Sequence, residues 1–434
     1  RHSFPTRRSS DLFLYILSEE EGEWPLGGAS RFYLHHALLA FQKAHPKLVI
    51  RKGKPNEVLT SLIKETQALS IYCGKRYESY AQKLSVPVHA FNTALLYEPG
   101  EILNKEGKPY TVFTPYYKSM LQEGCEFEIS PVPALKFYEG KVASLSVEEL
   151  SLLPKEHWEK KMEPFWLPCG EKAALTRLNQ FLDKGLANYS HGRDFPADAE
   201  AVSHLSAALH FGEISPRTIW KIASQRPGSE AFLRQLVWRD FAYQMLYFFP
   251  HTTDKPLKEA FNRFPWRNDP EGLQAWQRGL TGYPLIDAGM RQLWQTGWMH
   301  NRVRMAVASF LVKDLLIPWQ EGARWFWDTL VDADLANNSF GWQWCAGSGA
   351  DAAPYFRIFN PILQGEKFDP EGEYVRRYVP ELNHLPNEWI HRPFEAPDLM
   401  LRAAGVVLGK NYPYPIVDHA KARERALHAL KEIA

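Results

Sequence analysis

The chain has 434 residues, of which 45% are hydrophobic and 23% are charged, so it can build the cores of two or three globular domains. Its net charge of +1 excludes a uniformly basic surface, and any nucleic-acid binding must come from a local patch. No apolar run reaches the roughly 20 residues of a membrane helix, and the first residues lack the apolar centre of a signal peptide. The four cysteines form neither a CxxC pair nor a Cys/His cluster. We therefore expect a cytoplasmic protein with reduced thiols and no metal site.

The first 121 residues contain two parts of different character. Residues 1–12 have no apolar periodicity, and we interpret them as a non-native leader joined to a gene whose first strand is missing. Residues 13–121 alternate short apolar runs, at 13–17, 48–51, 69–72 and 86–91, with helical patterns at 30–43 and 57–67. Buried parallel strands with helical crossovers have this pattern. We predict a truncated, Rossmann-like doubly wound parallel sheet, without the GxGxxG loop of dinucleotide-binding proteins.

The rest of the chain is predicted to be a linker and a helical domain. Residues 122–169 are irregular and contain prolines at 131, 133 and 154, so we interpret them as an interdomain linker. Beyond them strand patterns nearly vanish, and helical periods occupy 171–185, 215–225, 230–248, 273–279, 287–296, 301–316 and 322–330. We predict that residues 170–434 form one large all-α domain.

The densest chemistry lies at residues 332–344. This stretch contains two acids, Asp332 and Asp334, the amide of Asn338, and two indoles, Trp342 and Trp344. We expect the two indoles to lie on an extended or turning segment, where alternate side chains serve different neighbours. A paired-carboxylate or metal site is disfavoured, because no histidine or third acid lies at ligand spacing. The mixture suits a redox cofactor and a flat aromatic ligand better than hydrolysis.

Two wider trends accompany this stretch. Eleven of the 15 tryptophans lie between Trp220 and Trp344, and residues 217–304 hold 13 Lys/Arg against 7 Asp/Glu. Core packing accounts for many indoles, and an uneven helical surface would account for the charges. The basic excess also offers a local patch for nucleic acid.

Together with the stretches at 297–305 and 351–361, residues 332–344 resemble the photolyase/cryptochrome family of light-driven flavoproteins, most of all its bacterial class I cyclobutane pyrimidine dimer DNA photolyases. The likeness runs from residue 13 to the C-terminus, but residues 77–86 are shortened, as though a helix after Tyr80 had been deleted. It implies FAD as cofactor, UV-damaged DNA as partner and a monomer. It also allows a second, antenna chromophore, either methenyltetrahydrofolate or a deazaflavin, in or beside the α/β domain.

The resemblance implies a flavin pocket and an electron path. The pocket residues it assigns are Tyr189, Val202, Ser203, His204, Leu205, Ser206, Arg239, Asp332, Ala333, Asp334 and Asn338. A serine-rich turn that opens a helix suits a pyrophosphate, and Asn338 would face flavin N5. Val202 and His204 stand where many relatives have threonine and arginine. The electron path would run from Trp266 through Trp319 to Trp342.

The resemblance also implies a DNA site. Its residues would be Arg193, Gln235, Trp238, Asn301, Arg302, Arg304, Met305 and Trp344. The spacing of Trp298, Asn301 and Met305 predicts a shared helical face, whereas His300 is predicted to be a helix-surface residue. Trp238 and Trp344 would stack on a dimer flipped out of the duplex, and the three arginines would hold DNA phosphates.

Two positions decide which lesion is expected. Asn301 is typical of the dimer-repair branch, where the (6-4) branch has histidine, whereas Gln235 replaces a glutamate that many dimer photolyases carry. We predict a DNA photolyase in which reduced FAD passes an electron to a cyclobutane pyrimidine dimer under light. The alternatives are a (6-4) photolyase, a cryptochrome photoreceptor and a non-functional fragment.

Overall fold

The computed structural model describes residues 10–18, 22–78, 84–129, 134–352 and 356–433. Most of the predicted leader and the predicted deletion after Tyr80 lie outside these residues. All four cysteines are free thiols. Within the described ranges, no helix is long and apolar enough to cross a membrane.

The N-terminal part contains two pairs of parallel strands. Its strands are β1 (Leu14–Leu17), β2 (Val49–Lys52), β3 (Ile71–Gly74) and β4 (Val88–Phe91), and its helices are α1 (Gly28–Ala44), α2 (Pro55–Thr66) and α3 (Phe113–Gln122). β1 pairs with β2 and β3 pairs with β4. Each strand therefore begins within two residues of its predicted start.

The strands β3 and β4 expose several of their side chains. Tyr72 is 53% exposed and Phe91 is 47% exposed. The rings of Tyr72 and His89 stack at 4.9 Å on the outer face of this pair. An apolar run in the sequence fits two kinds of strand equally well. One is covered on both faces, and the other leaves one face exposed, where its aromatic side chains stack on those of the neighbouring strand.

The predicted linker contains 3-10 turns at Glu148–Leu150 and Trp158–Met162 and one short helix, α4 (Glu163–Trp166). Helices then follow without a regular strand among the described residues. They are α5 (Glu171–Lys184), α6 (Tyr189–Gly192), α7 (Ser206–His210), α8 (Pro216–Ala223), α9 (Glu230–Phe248), α10 (Pro270–Arg278), α11 (Pro284–Thr296), α12 (Asn301–Ser309), α13 (Trp319–Thr329), α14 (Leu335–Ala346), α15 (Pro361–Phe368), α16 (Glu373–Tyr378), α17 (Asp398–Ala403) and α18 (His419–Ile433).

Helix α14 was not predicted, because its asparagines, serine and glycine are poor helix formers. It forms because Asp334 caps it, accepting the Asn337 N–H at 2.9 Å, and because it packs against α9, α12 and α13. The expectation of an extended segment at Trp342 and Trp344 was therefore wrong. Residues two apart on a helix differ by about 200°, so the two indoles still serve different neighbours.

The pattern at 301–316 also differs from a single helix. α12 ends at Ser309 and continues as one π-helical turn at Phe310–Asp314. Trp298 precedes α12, so the predicted helical face shared with Asn301 and Met305 was wrong for Trp298. Asn301 and Met305 do share a face, since the Asn301 amide lies 3.8 Å from the Met305 sulfur.

Candidate functional site

A cavity of about 720 Å³ opens among α6, α7, α9, α12 and α14. It brings together almost all of the predicted site residues, although they span 156 positions of sequence. Those that line it are Tyr189, Arg193, Val202, Ser203, His204, Leu205, Ser206, Gln235, Trp238, Arg239, Asn301, Arg304, Met305, Asp332, Ala333, Asp334, Asn338, Trp342 and Trp344. Its volume is in the range of cofactor sites.

Asp334 anchors the N-terminus of α14 at this cavity. One carboxylate oxygen accepts the N–H of Asn337, and the other accepts the Tyr243 hydroxyl at 2.5 Å and lies 3.4 Å from His210 Nδ1. Burial by itself would raise the pKa of Asp334, but hydrogen bonds and the charges of His210 and Arg239 hold that pKa well below its usual value. Asp334 is therefore an ionised carboxylate whose two oxygens both have protein partners.

Asp332 is neutralised by an arginine inside the cavity. Arg304 Nη2 donates to both carboxylate oxygens, at 3.1 and 2.8 Å, and Arg304 Nε donates to the Met299 carbonyl at 2.8 Å. These bonds fix the guanidinium at the cavity wall. The role of Arg304 in holding a DNA phosphate stays a prediction, and a phosphate would have to compete with Asp332 for this guanidinium.

Asn338 has a defined amide orientation. Its Nδ2 donates to the Ala323 carbonyl at 3.0 Å, and the residue is 9% exposed. The side-chain oxygen is then the group left to accept a hydrogen bond from a ligand in the cavity. This orientation is the one that the predicted contact with flavin N5–H requires.

The turn that leads into α7 carries no cation. His204 has a φ of 49° in the left-handed region, and its ring lies 4.4 Å from the Trp298 ring. Burial lowers the pKa of His204 to about 4, so the imidazole is neutral at neutral pH. His204 cannot replace the charge of the arginine found in many relatives.

His300 is an interior residue, and the prediction of a surface position was wrong. It is 1% exposed, and its Nδ1 accepts the Arg302 N–H at 3.2 Å, which caps α12. Burial lowers the pKa of His300 to about 3. The ring is therefore neutral with its proton on Nε2, and Nε2 has no hydrogen-bond partner among the residues that the structure describes.

Part of the cavity lining is aromatic. Trp238 stacks on Phe113, with ring centroids 3.5 Å apart and planes 6° apart. Trp344 lies 5.7 Å from the Arg357 guanidinium. Gln235 donates from Nε2 to the Ala231 carbonyl of its own helix at 3.0 Å, which leaves its oxygen as the group available to a ligand.

The three predicted DNA-backbone arginines differ in position. Arg193 lies at the cavity, 5.5 Å from the Tyr189 ring. Arg302 is outside the cavity lining, where it forms an ion pair with Asp194 at 2.5 Å and lies 4.4 Å from the Phe368 ring. A phosphate would have to compete with Asp194 for Arg302.

The three predicted electron-transfer tryptophans belong to or pack against one hydrophobic cluster. Trp342 lines the cavity and packs on Gly322, where an added Cβ would lie 2.0 Å from the indole. Trp319 is three residues earlier in α13 and is 1% exposed. Trp266 is half-buried, and the next residue, Arg267, donates to the Leu316 carbonyl at 2.7 Å. Trp319 and Trp266 are not among the residues that line the cavity, and the electron path through them stays a prediction.

Several candidate residues had no sequence signal. Phe113 stacks on Trp238, and Arg357 lies against Trp344. Lys313 is 1% exposed and lines the cavity, and burial lowers its pKa to about 7.

Outside the cavity, Trp158, Trp294 and Trp325 stack in a row with centroid spacings of 6.3 and 6.1 Å. The Lys161 ammonium lies 4.0 Å above Trp294. The sequence shows how many tryptophans the chain has, but not that these three stack on one another.

Comparison with known proteins gives a consistent result. A family model described as DNA photolyase matches residues 6–136, and one described as the FAD binding domain of DNA photolyase matches residues 232–432. A deoxyribodipyrimidine photo-lyase of Agrobacterium fabrum is 48% identical, over 96% of this chain and 91% of its own length. Cryptochrome-2 of Arabidopsis thaliana is 37% identical, over 95% and 73%.

A solved structure extends this result to the fold. The crystal structure of a bacterial class III photolyase from Agrobacterium tumefaciens matches with a TM-score of 0.92 at 46% identity, covering 98% of this chain and 92% of that one. This structure belongs to class III, whereas the motifs suggested class I. The family resemblance and the order of an α/β domain followed by a helical FAD-binding domain are confirmed. The chain belongs to the photolyase/cryptochrome family.

Proposed function

We propose that the protein repairs cyclobutane pyrimidine dimers in DNA under light. The observation that carries this proposal is one cavity lined both by Asn338 with the Arg304–Asp332 pair and by two indoles, Trp238 and Trp344, with Asn301. Reduced FAD, when bound, supplies the electron that light transfers to the lesion. The remaining tasks belong to the protein, which must hold cofactor and lesion close together and exclude water.

Asn338, His300 and the Arg304–Asp332 pair fit FAD. The volume of about 720 Å³ accommodates a large cofactor, and the Asn338 oxygen is oriented to accept from it. The buried His300 Nε2–H, which lacks a partner within the described ranges, supplies a donor that a ligand acceptor would satisfy. Arg304 is held by Asp332, so its guanidinium has a fixed orientation and its charge is balanced by the carboxylate.

Trp238, Trp344 and Asn301 fit a flipped dimer. Trp238 and Trp344 offer flat faces, and base stacking on an aromatic side chain contributes about 1–3 kcal/mol per base. Asn301 offers an amide to a base edge, and its identity favours the cyclobutane lesion over the (6-4) photoproduct. Gln235 can accept from a thymine N–H but cannot supply a proton.

Binding in the dark tests this assignment. Affinities of the FAD-loaded protein would be measured for three matched duplexes: undamaged, with a cyclobutane thymine dimer, and with a (6-4) photoproduct. We expect the cyclobutane duplex to bind at least tenfold more tightly than the other two. Preference for the (6-4) duplex would contradict the lesion assignment. Equal binding of all three would contradict repair and favour the cryptochrome alternative, to which the 37% identity to cryptochrome-2 points.

We place the antenna chromophore at the stack of Trp158, Trp294 and Trp325. A flat ring needs about 3.5 Å on each face, and the Trp158 and Trp294 centroids lie 6.3 Å apart with a 16° tilt, so these two rings would have to separate to hold one between them. Lys161, whose pKa burial lowers, would then pair with an anionic group of the ligand. Titration with methenyltetrahydrofolate or a deazaflavin should give stoichiometric binding that Trp294→Ala abolishes. Unchanged binding by this variant would contradict the placement.

The protein is expected to act as a cytoplasmic monomer on UV-damaged DNA. No described feature of the cavity requires a second chain to complete it. A molar mass near 50.0 kDa in light scattering, unchanged at high protein concentration, is the expected result. A stable dimer would contradict it.

A further inference from the structure

The indole of Trp238 is supported from behind by the N-terminal part of the chain. Phe113 opens α3, lies in the region matched by the DNA photolyase family model, and is 1% exposed. Its ring stacks on Trp238 at 3.5 Å with a 6° tilt. Trp238 itself belongs to α9 of the helical part. The wall proposed to receive the lesion is thus built from both halves of the protein.

The stack continues beyond Phe113. Tyr117, one turn later in α3, lies parallel to Phe113 at 5.7 Å with a 12° tilt. The guanidinium of Arg234, one turn before Trp238 in α9, lies 5.2 Å from both of these rings. Cation–π contact holds the outer rings in place. Because the stack is continuous, Trp238 cannot tip away from the cavity without displacing α3.

The start of α3 is also tied to the loop that follows α14, the helix that carries Trp344. Asp351 Oδ1 accepts the Phe113 N–H at 3.1 Å, and the Asp351 N–H donates to the Thr111 carbonyl at 3.0 Å. Asp351 lines the cavity in the loop that follows Trp344. Its φ of 53° is in the left-handed region, which a non-glycine residue rarely adopts. Such a conformation persists only where the surrounding contacts hold it.

We infer that the start of α3, through Phe113 and Asp351, fixes the separation of the Trp238 and Trp344 walls and thereby sets selectivity for the flipped lesion. This inference rests on the proposed function. Van der Waals attraction falls by a quarter to a half when a gap opens by about 0.5–1 Å, so stacking on a ring requires a fixed wall. Undamaged duplex is bound through its phosphates and does not need the walls. Phe113, which does not line the cavity, and Asp351, through its hydrogen bonds to Phe113 and Thr111, are inferred to act as positioning residues.

The test compares dark affinities for the cyclobutane duplex and the undamaged duplex in FAD-loaded variants. Phe113→Leu keeps an apolar side chain but removes the flat ring, and Asp351→Ala removes the acceptor for the Phe113 N–H. Both should weaken binding of the damaged duplex by about tenfold. Affinity for undamaged duplex, FAD content and flavin photoreduction should stay at wild-type values. Asp351→Asn, which keeps an acceptor and tolerates a positive φ, should restore lesion affinity.

The control is Thr114→Ala on the exposed side of α3, which should match wild type. Unchanged lesion affinity in both Phe113→Leu and Asp351→Ala would overturn the inference. Equal weakening on both duplexes, or loss of FAD, would also overturn it, because either result indicates a general structural role. If Phe113→Leu does not fold, the comparison of Asp351→Ala with Asp351→Asn tests the inference on its own. A wild-type protein without lesion selectivity would instead overturn the proposed function.

Discussion

Substitution of Asp334 by alanine tests how the site is built. Asp334 is 5% exposed, caps α14 through the Asn337 N–H at 2.9 Å and accepts the Tyr243 hydroxyl at 2.5 Å. Loss of an N-cap costs about 1 kcal/mol. A buried hydroxyl left without an acceptor costs about 1–3 kcal/mol more, and Tyr243 is 8% exposed. We therefore expect Asp334→Ala to lower the free energy of unfolding by about 2–4 kcal/mol.

The assay is urea unfolding followed by tryptophan fluorescence, with FAD content measured on the same samples. Asp334→Asn is the matched control, because asparagine caps helices as well as aspartate, and its NH2 group can then donate to the Tyr243 hydroxyl oxygen. It should lose less stability than the alanine variant. In a Tyr243→Phe background, Asp334→Ala should lower the free energy of unfolding by less than in wild type, because no Tyr243 hydroxyl is left without an acceptor. A loss below about 0.5 kcal/mol for Asp334→Ala would refute this account of the α14 cap.

The charge of Asp334 predicts an acid dependence. Its folded pKa is held below the usual value, so its ionisation stabilises the fold above the unfolded pKa near 4. This stabilisation is lost as pH falls below about 4 toward the folded pKa. The stability of Asp334→Asn should depend less on pH in this window. An identical acid profile for variant and wild type would contradict the assigned shift.

Three further predictions concern the interior of the cavity. His300→Asn keeps the cap of α12 but removes a group whose pKa burial lowers from 6.5 to about 3. Below pH 6.5 this histidine makes the free energy of unfolding fall more steeply, by up to about 1.4 kcal/mol per pH unit. The variant should therefore lose less stability in acid, and an unaltered urea–pH profile would contradict this. Trp319→Phe should slow photoreduction of oxidised flavin at least tenfold while chemically reduced protein still repairs; unchanged photoreduction would exclude Trp319 from the path. Gln235→Glu should raise the quantum yield of repair, and a lower or equal yield would show that the amide is not limiting.

The sequence predicted secondary structure well where periodicity is strong. β1 to β4, α1, α9 and α13 all lie within three residues of their predicted starts, because apolar spacing reports which face is covered. α14 escaped prediction since its stability comes from the Asp334 cap and from packing on α9 and α13, not from residue propensity. The π turn at Phe310–Asp314 has no local signal either.

The cavity residues were found through family resemblance, not through periodicity. Motifs at 297–305 and 332–344 identify short segments, but the partners that orient them lie far away in sequence. Phe113 and Trp238 are separated by 125 positions, and Asp334 and Tyr243 by 91. The interior position of His300 was missed because a polar side chain beside a helix start resembles a surface residue until its burial is known. Tertiary packing alone determines these contacts.

Light-dependent repair tests the central claim most directly. Photoreduced, FAD-loaded protein would be illuminated with duplexes that carry either a cyclobutane thymine dimer or a (6-4) photoproduct, with dark samples as controls. We predict restoration of the cyclobutane duplex only, and only under light. Repair of neither lesion by protein whose flavin is bound and reduced would contradict the account, and repair of the (6-4) lesion alone would contradict the role given to Asn301.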